Sequence, residues 1–328
     1  MRILVLGAGA VGGYFGGRLA QKGSDVTFLV RPKRAETLAR DGLRISSRFG
    51  DWRQQVNCVT QDQLHPHYDV VVLTAKAYDL AAAIDAIAPA MGERKDGRGF
   101  VLPLLNGMEH MEMLDRRFGR TRVLGGVAYI AATLASDGEI RHLNDFHRLV
   151  FGQREEGQRA ACDALGAELA GVHFEWKMLD AIEQAMWDKW VLLATLAGIT
   201  CLMRASVGDI VATASGESLT LALLGECAGV AAAEGCATAE ATIANYRSML
   251  TERDSAFTAS MLRDIESGGR TEGDHILGAL LARARKRDLR CPLLEVAATH
   301  LEAYAARRRR EAGTTQPPAR QAPSAAVR

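Results

Sequence analysis

The sequence predicts an α/β protein in two parts, a doubly wound sheet followed by an all-α domain. Three observations carry this expectation. Short apolar or β-branched runs alternate with helical periods from Arg2 to Leu105; a glycine-rich turn joins the first such run to the first helix; and from about Leu179 to Ala306 the chain is almost wholly helical in pattern. Arg2–Leu6 reads as a buried strand that ends at Gly7. Val11–Gly23 follows as a helix and Val26–Val30 as a second strand. Asp69–Ala75 (DVVVLTA) is nearly continuous in apolar residues, which suits a central parallel strand covered on both faces. Leu80–Met91 is helical in pattern, and Gly99–Leu105 is another strand, ending at Asn106-Gly107. Such alternation indicates a parallel sheet with helices on both faces. Val127–Leu134 and Glu139–His142 read as strands around a turn at Asp137-Gly138, a small antiparallel addition. The boundary falls near Lys177, giving domains 1–177 and 178–306. The tail, 307–328, is rich in Arg, Pro and Ala, has no apolar period and is expected to be disordered.

Composition excludes several classes. With 328 residues and 48% hydrophobic content the chain can fill two cores. Forty basic residues against 39 acidic give a net charge of +1, so no broad field favours nucleic acid or an anionic membrane. Cys58, Cys162, Cys201, Cys227, Cys236 and Cys291 form no Cys-x-x-Cys pair and read as small buried hydrophobes. The histidines make no H-E-x-x-H pattern, and no metal site is expected. The apolar run at the N-terminus is soon broken by glycines and charges. No later stretch reads as apolar for the ~18 residues of a spanning helix. A cytoplasmic protein is expected, and the apolar helical half is compatible with a homodimer.

Gly7-Ala8-Gly9-Ala10-Val11-Gly12 fits G-x-G-x-x-G in the context that motif needs, after a strand and opening a helix. Gly7 permits the tight turn, Gly9 lets backbone approach a pyrophosphate, and Gly12 lets the helix pack on the sheet. The free N–H groups of the helix start then face the phosphates. This is the Rossmann fingerprint. At the end of the second strand, where an NAD-binding chain usually carries Asp or Glu, stand Val30-Arg31, then Lys33 and Arg34. A guanidinium can grip the 2′-phosphate of NADP with two hydrogen bonds, so the expected cofactor is NADP, held at Arg31.

Six segments in order resemble the ketopantoate reductase (2-dehydropantoate 2-reductase) family: GAGAVGGYFG, Arg31, LTAKAYD around Lys76, LLNGMEH around Asn106, WDKW around Lys189, and SMLRDIESGGRTE with Ser260 and Glu272. The resemblance covers the whole chain except the tail. It implies reduction of 2-dehydropantoate to pantoate with NADPH, with a small 2-oxo acid as the ligand beside the cofactor. It implies that Lys189 is the general acid, its ammonium both stabilising and protonating the oxygen that hydride attack charges. Burial beside Trp187 and Trp190 is expected to lower its pKa. The same resemblance places Lys76 on the cofactor or substrate side of the cleft. Asn106 falls on the nicotinamide ribose or substrate carbonyl, and Ser260 on the substrate carboxylate or hydroxyl. Glu272 contacts substrate or cofactor and helps set the charge state of the lysine.

One departure bears on the substrate. The family commonly carries two asparagines one and two turns after the lysine; here Leu193 and Ala197 stand there. Positions i, i+4 and i+8 share a helix face. The surface beside Lys189 is therefore apolar, and Thr195 and Thr200 are the nearest substitutes. Three functions follow: a reductase of 2-dehydropantoate, a paralogue acting on a more apolar 2-oxo acid or ketone, and an NADP-binding sensor without turnover. Retention of both Lys189 and Glu272 disfavours the sensor.

Overall fold

The computed structural model describes residues 1–92 and 99–314. The N-terminal part runs β1 (Arg2–Leu6), α1 (Ala10–Lys22), β2 (Asp25–Leu29), α2 (Pro32–Asp41), β3 (Leu43–Ser46), β4 (Trp52–Gln54), β5 (Asn57–Val59), β6 (Val70–Leu73), α3 (Leu80–Ile87), β7 (Phe100–Pro103) and α4 (Glu109–Phe118). It continues with β8 (Gly125–Tyr129), β9 (Ala132–Leu134), β10 (Ile140–His142), β11 (Arg148–Gly152), α5 (Arg159–Leu169) and β12 (Glu175–Met178). Helices follow: α6 (Ile182–Met203), α7 (Val207–Val211), α8 (Gly216–Ala233), α9 (Glu240–Leu250), α10 (Ser260–Glu266), α11 (Ala279–Lys286) and α12 (Pro292–Thr314), with a π-turn at Asp274–Gly278.

The main sheet is parallel throughout, in the order β5-β2-β1-β6-β7. Side chains alternate across it with the two-residue period of a strand. Ile3, Val5, Val70, Val72 and Leu102 join the core on the α1 side, and Leu4, Val71, Leu73 and Val101 join the opposite core, which continues into the helical half. This double covering explains why these strands read as continuous apolar runs. After β1 the chain moves outward to β2; it returns to the other side of β1 as β6. The carboxyl ends of β1 and β6 therefore bound the crevice where ligands bind in such sheets.

The expected antiparallel addition is present but divided. β9 and β10 form a hairpin with Leu134 opposite Ile140, inside the sheet β4-β3-β10-β9. β8 belongs to another sheet, β12-β11-β8. The strand expected over Val127–Leu134 breaks because the chain changes sheets at Ile130-Ala131, where the Ala131 N–H donates to Asn144 Oδ1. The helix expected to reach Met91 ends at Ile87 and closes in a 3₁₀ turn containing Pro89, which has no N–H to continue the ladder.

Two other expectations need correction. α6 is, by length and composition, apolar enough to cross a membrane, yet 72% of its apolar stretch is buried inside the protein. It packs on α8, α10 and α12 and touches β8, so it is the central core helix of the helical half. The supposedly disordered tail is helical as far as Thr314. Arg307 and Arg308 pair with Glu311 at helical spacing, at 3.3 and 3.0 Å, which continues the period of α12. The rest of that segment, 315–328, lies outside the described residues. All six cysteines are free thiols, four of them buried.

Candidate active site

The candidate phosphate end of the crevice is made of backbone. Gly7 has φ +86°, a left-handed conformation that favours glycine, and its N–H donates to Leu29 O, turning the chain off β1. Gly9 caps α1 without any side-chain hydrogen bond, and a Cβ placed there meets nothing within 4 Å. The first turn of α1 holds no acidic residue. The orphan N–H groups of the helix start thus face open space with no internal anion competing for them. Gly12 is needed for a different reason. A Cβ there would strike Thr74 Oγ1 and lie 2.6 Å from Gly7 O, while Thr74 itself donates to Leu6 O at 2.8 Å. This cradle fits a dinucleotide pyrophosphate.

The basic residues after β2 divide their work. Arg31 is the exposed N-cap position of α2 and Lys33 is exposed as well. Arg34 is turned inward: its Nη2 donates to Ala8 O at 2.9 Å and to Gly138 O at 3.3 Å. It braces the glycine turn against the β9–β10 hairpin, so its charge is committed to structure.

The other end of the crevice is made of side chains. Lys189 lies mid-way along α6. Its Nζ donates to the Ala128 carbonyl of β8 and sits 5.4 Å from the centre of the Tyr129 ring. Burial holds its pKa down, to about 8, against an upward pull from Glu272. The direction matches the expectation, but the flanking tryptophans are not its partners. Trp187 and Trp190 pack on each other at 4.9 Å, Arg283 lies over both, and the Trp190 indole donates to Ile276 O at 2.9 Å. The lysine's enclosing surface is β8, which nothing in the sequence near WDKW indicates.

Lys76 follows β6 at the carboxyl edge of the sheet. Its ammonium reaches across the crevice to Glu272 Oε2 at 3.1 Å and Asp264 Oδ2 at 3.4 Å. The other Glu272 oxygen accepts from the Ala77 N–H at 2.9 Å, and the carboxylate is 9% exposed. Glu272 is thus fixed to the sheet while its charge acts on Lys189. Asp264 was missed in the sequence, although it stands four residues after Ser260 and so shares a face of α10 with it. Ser260 is exposed at the start of that helix and joins the set only through this face. Asn106 follows β7 at the same sheet edge as Gly7, Arg31 and Lys76. On the Lys189 face, Leu193 is half-buried and Ala197 buried. Thr195 and Thr200 donate to Val191 O and Leu196 O of their own helix, so they do not replace the missing amides. Among the described residues no cluster of His, Cys, Asp and Glu could hold a metal.

The sequence model for the ketopantoate reductase family (PanE/ApbA) matches residues 3–156, and the model for the family's C-terminal part matches residues 181–305. The chain belongs to the ketopantoate reductase family. It is therefore an oxidoreductase. Among its relatives, the uncharacterized oxidoreductase YkpB of Bacillus subtilis is 38% identical over 306 residues, covering 93% of this chain and 99% of that protein. A 2-dehydropantoate 2-reductase of Halobacterium salinarum is 28% identical over 300 residues, covering 91% and 97%. The solved 2-dehydropantoate 2-reductase of Geobacter metallireducens superimposes with a TM-score of 0.81 at 28% identity, covering 92% and 99%. D-mandelate dehydrogenase with NADH and anilino(oxo)acetate gives 0.84 at 22% identity over 94% and 100%, a likeness of fold.

Proposed function

We propose that this ketopantoate reductase family member reduces the C2 carbonyl of a 2-oxo acid with NADPH, 2-dehydropantoate being the substrate that the family name suggests. The observation that carries the reading is the partly buried ammonium of Lys189, held by Ala128 O at the crevice across from the glycine cradle. NADPH supplies the hydride. Gly7, Ala8, Gly9, Ala10, Val11 and Gly12 form the turn that takes its pyrophosphate, Gly7 by shaping the chain and the helix start by its free backbone N–H groups, and Arg31 pairs with the 2′-phosphate. Lys76 and Asn106 line the same edge. One N–H of Lys189 is spent on Ala128; the remaining two point the proton at the substrate oxygen and stabilise charge developing there. A pKa of about 8 keeps the group protonated at neutral pH and close to the working range. Glu272 counters the desolvation of Lys189, and Ser260 hydrogen-bonds the substrate carboxylate or hydroxyl.

A second reading is favoured by a specific observation. The Lys189 face of α6 presents Leu193 and Ala197, and both nearby threonines are bonded to their own helix. A site without amides leaves a substrate hydroxyl unpaired, at a cost of about 1–3 kcal/mol. This favours a 2-oxo acid more apolar than 2-dehydropantoate. The test is NADPH oxidation against 2-dehydropantoate and 2-oxo acids of graded size and polarity. A wide preference for 2-dehydropantoate supports the first reading; a wide preference for an apolar 2-oxo acid supports the second. NADPH binding with no oxidation by any member overturns both.

A further inference from the structure

His275 lies in the π-turn three residues after Glu272, and no step above uses it. Its turn joins the carriers of three separate site residues. Against β7's turn it meets Gly107, which has φ +79°; a Cβ there would lie 3.2 Å from His275 Cδ2 and 3.3 Å from both His275 Nε2 and its carbonyl oxygen. The ring and backbone of His275 therefore press directly on the Asn106–Gly107 turn, and glycine is the residue that allows it. The Asn106 backbone also acts on the imidazole, pulling its pKa upward. Its own turn is tied to Glu272, whose carbonyl accepts from Ile276 N at 3.0 Å, and to α6, because Trp190 donates to Ile276 O at 2.9 Å.

The environment keeps this imidazole neutral. Burial lowers its pKa despite the pull of Glu272 and Glu109. The ring beyond it, His110, is fully buried 5.7 Å away and is held neutral at a pKa of about 3. A neutral imidazole has a single N–H donor. Nε2 is buried with no hydrogen-bond partner among the described residues, so the ring's hold on the turn is its contact with Gly107. π-turns recur at functional sites because the extra residue re-aims side chains within a helical frame.

We propose that His275 is a positioning residue that holds the Asn106–Gly107 turn in register with Glu272 and the lysine helix. This rests on the reading above that the Asn106 amide contacts substrate or cofactor. The test compares H275A, which removes the ring, with H275F, which keeps a ring against Gly107, in the full-length protein. Hydrogen–deuterium exchange over residues 104–109 is read alongside kcat, KM and the affinity for adenosine 2′,5′-bisphosphate.

In H275A the turn is expected to exchange on the order of tenfold faster and kcat to fall by a similar factor, the effect of losing one positioning contact. Affinity for adenosine 2′,5′-bisphosphate, which lacks the nicotinamide ribose and so does not reach Asn106, stays unchanged, and H275F retains most of kcat and of the exchange protection. Wild-type exchange and kcat in H275A, or an H275F as impaired as H275A, overturns the proposal. If no 2-oxo acid is turned over, the activity reading fails by itself, and the exchange comparison still decides the role of His275. Should H275A not fold, H275S against H275F makes the same comparison.

Discussion

At the proposed phosphate end of the crevice the groups offered to a ligand are backbone N–H groups of one contiguous segment, the turn Gly7–Gly12 that opens α1. At the proposed carbonyl end they are side chains that follow β6 and β7, sit on α6 and α10, or stand just before the π-turn, as far apart in the chain as Lys76 and Glu272. The first end tolerates no side chain where packing is tight and needs none where the ligand lies. The second depends on a polar network that links the two halves of the molecule: Lys76 to Glu272 and Asp264, Lys189 to Ala128, and Trp190 to Ile276. Local backbone geometry builds one end, and tertiary packing builds the other. Substitutions should therefore separate binding of the cofactor from chemistry.

The sharpest separation is expected from Lys189→Ala. Turnover should fall by roughly 10²–10⁴ with the loss of a general acid, while NADPH affinity, measured by fluorescence titration, stays nearly unchanged. Near-normal turnover in this variant would remove Lys189 from the mechanism.

The next contrast lies within the phosphate end. Arg31→Ala should weaken NADPH by about tenfold to a hundredfold, the worth of charge-assisted hydrogen bonds, with little change for NADH. Arg34→Ala should instead lower the melting temperature, since its guanidinium braces Ala8 and Gly138. Equal losses for both cofactors in Arg31→Ala would refute the 2′-phosphate contact.

A smaller effect distinguishes the two kinds of glycine. Gly12→Ala forces a methyl toward Gly7 O and should destabilise the fold by about 1–3 kcal/mol. Gly9→Ala meets no neighbour within 4 Å, so its melting curve should match the parent protein while NADPH binding weakens. Denaturant unfolding and cofactor titration of the pair check this.

The pH profile is the mildest probe. Lys189 must be protonated to act, and its pKa is lowered from the ordinary lysine value to about 8. The reductive kcat should be flat below that value and fall about tenfold per pH unit above it. The stability contribution has the opposite slope. The unfolded chain holds this proton up to the ordinary lysine pKa, so the penalty for burying the charge is relieved as pH rises from about 8. A kcat that stays flat past pH 9 would place the proton donor elsewhere.

The regularly patterned elements were legible. β1 matches the expected Arg2–Leu6, and α1, β2, β6 and β7 fall within two residues of expectation at most ends, because each is a buried strand or a glycine-started helix with a strong local signal. The short strands β3, β4 and β5 gave no comparable signal: β4, Trp52–Gln54, has a largely exposed face and little apolar content. α6 was legible as a helix. Its almost uniform apolarity concealed which side meets β8, so Tyr129 and Ala128 could not be assigned to Lys189. Asp264 could have been found from its four-residue spacing to Ser260; the inward turn of Arg34 could not.

Local sequence was enough to specify the doubly wound sheet, the glycine cradle and the change to helices after β12, because strand alternation, the left-handed turn at Gly7 and helical period are properties of neighbouring residues. Long-range packing, by contrast, makes Arg34 a brace while Arg31 stays exposed, anchors Glu272 through Lys76 and Ala77, and sets Lys189 against β8, where burial lowers its pKa. Those outcomes depend on which surfaces remove water from which charges, and that is fixed when distant elements pack together.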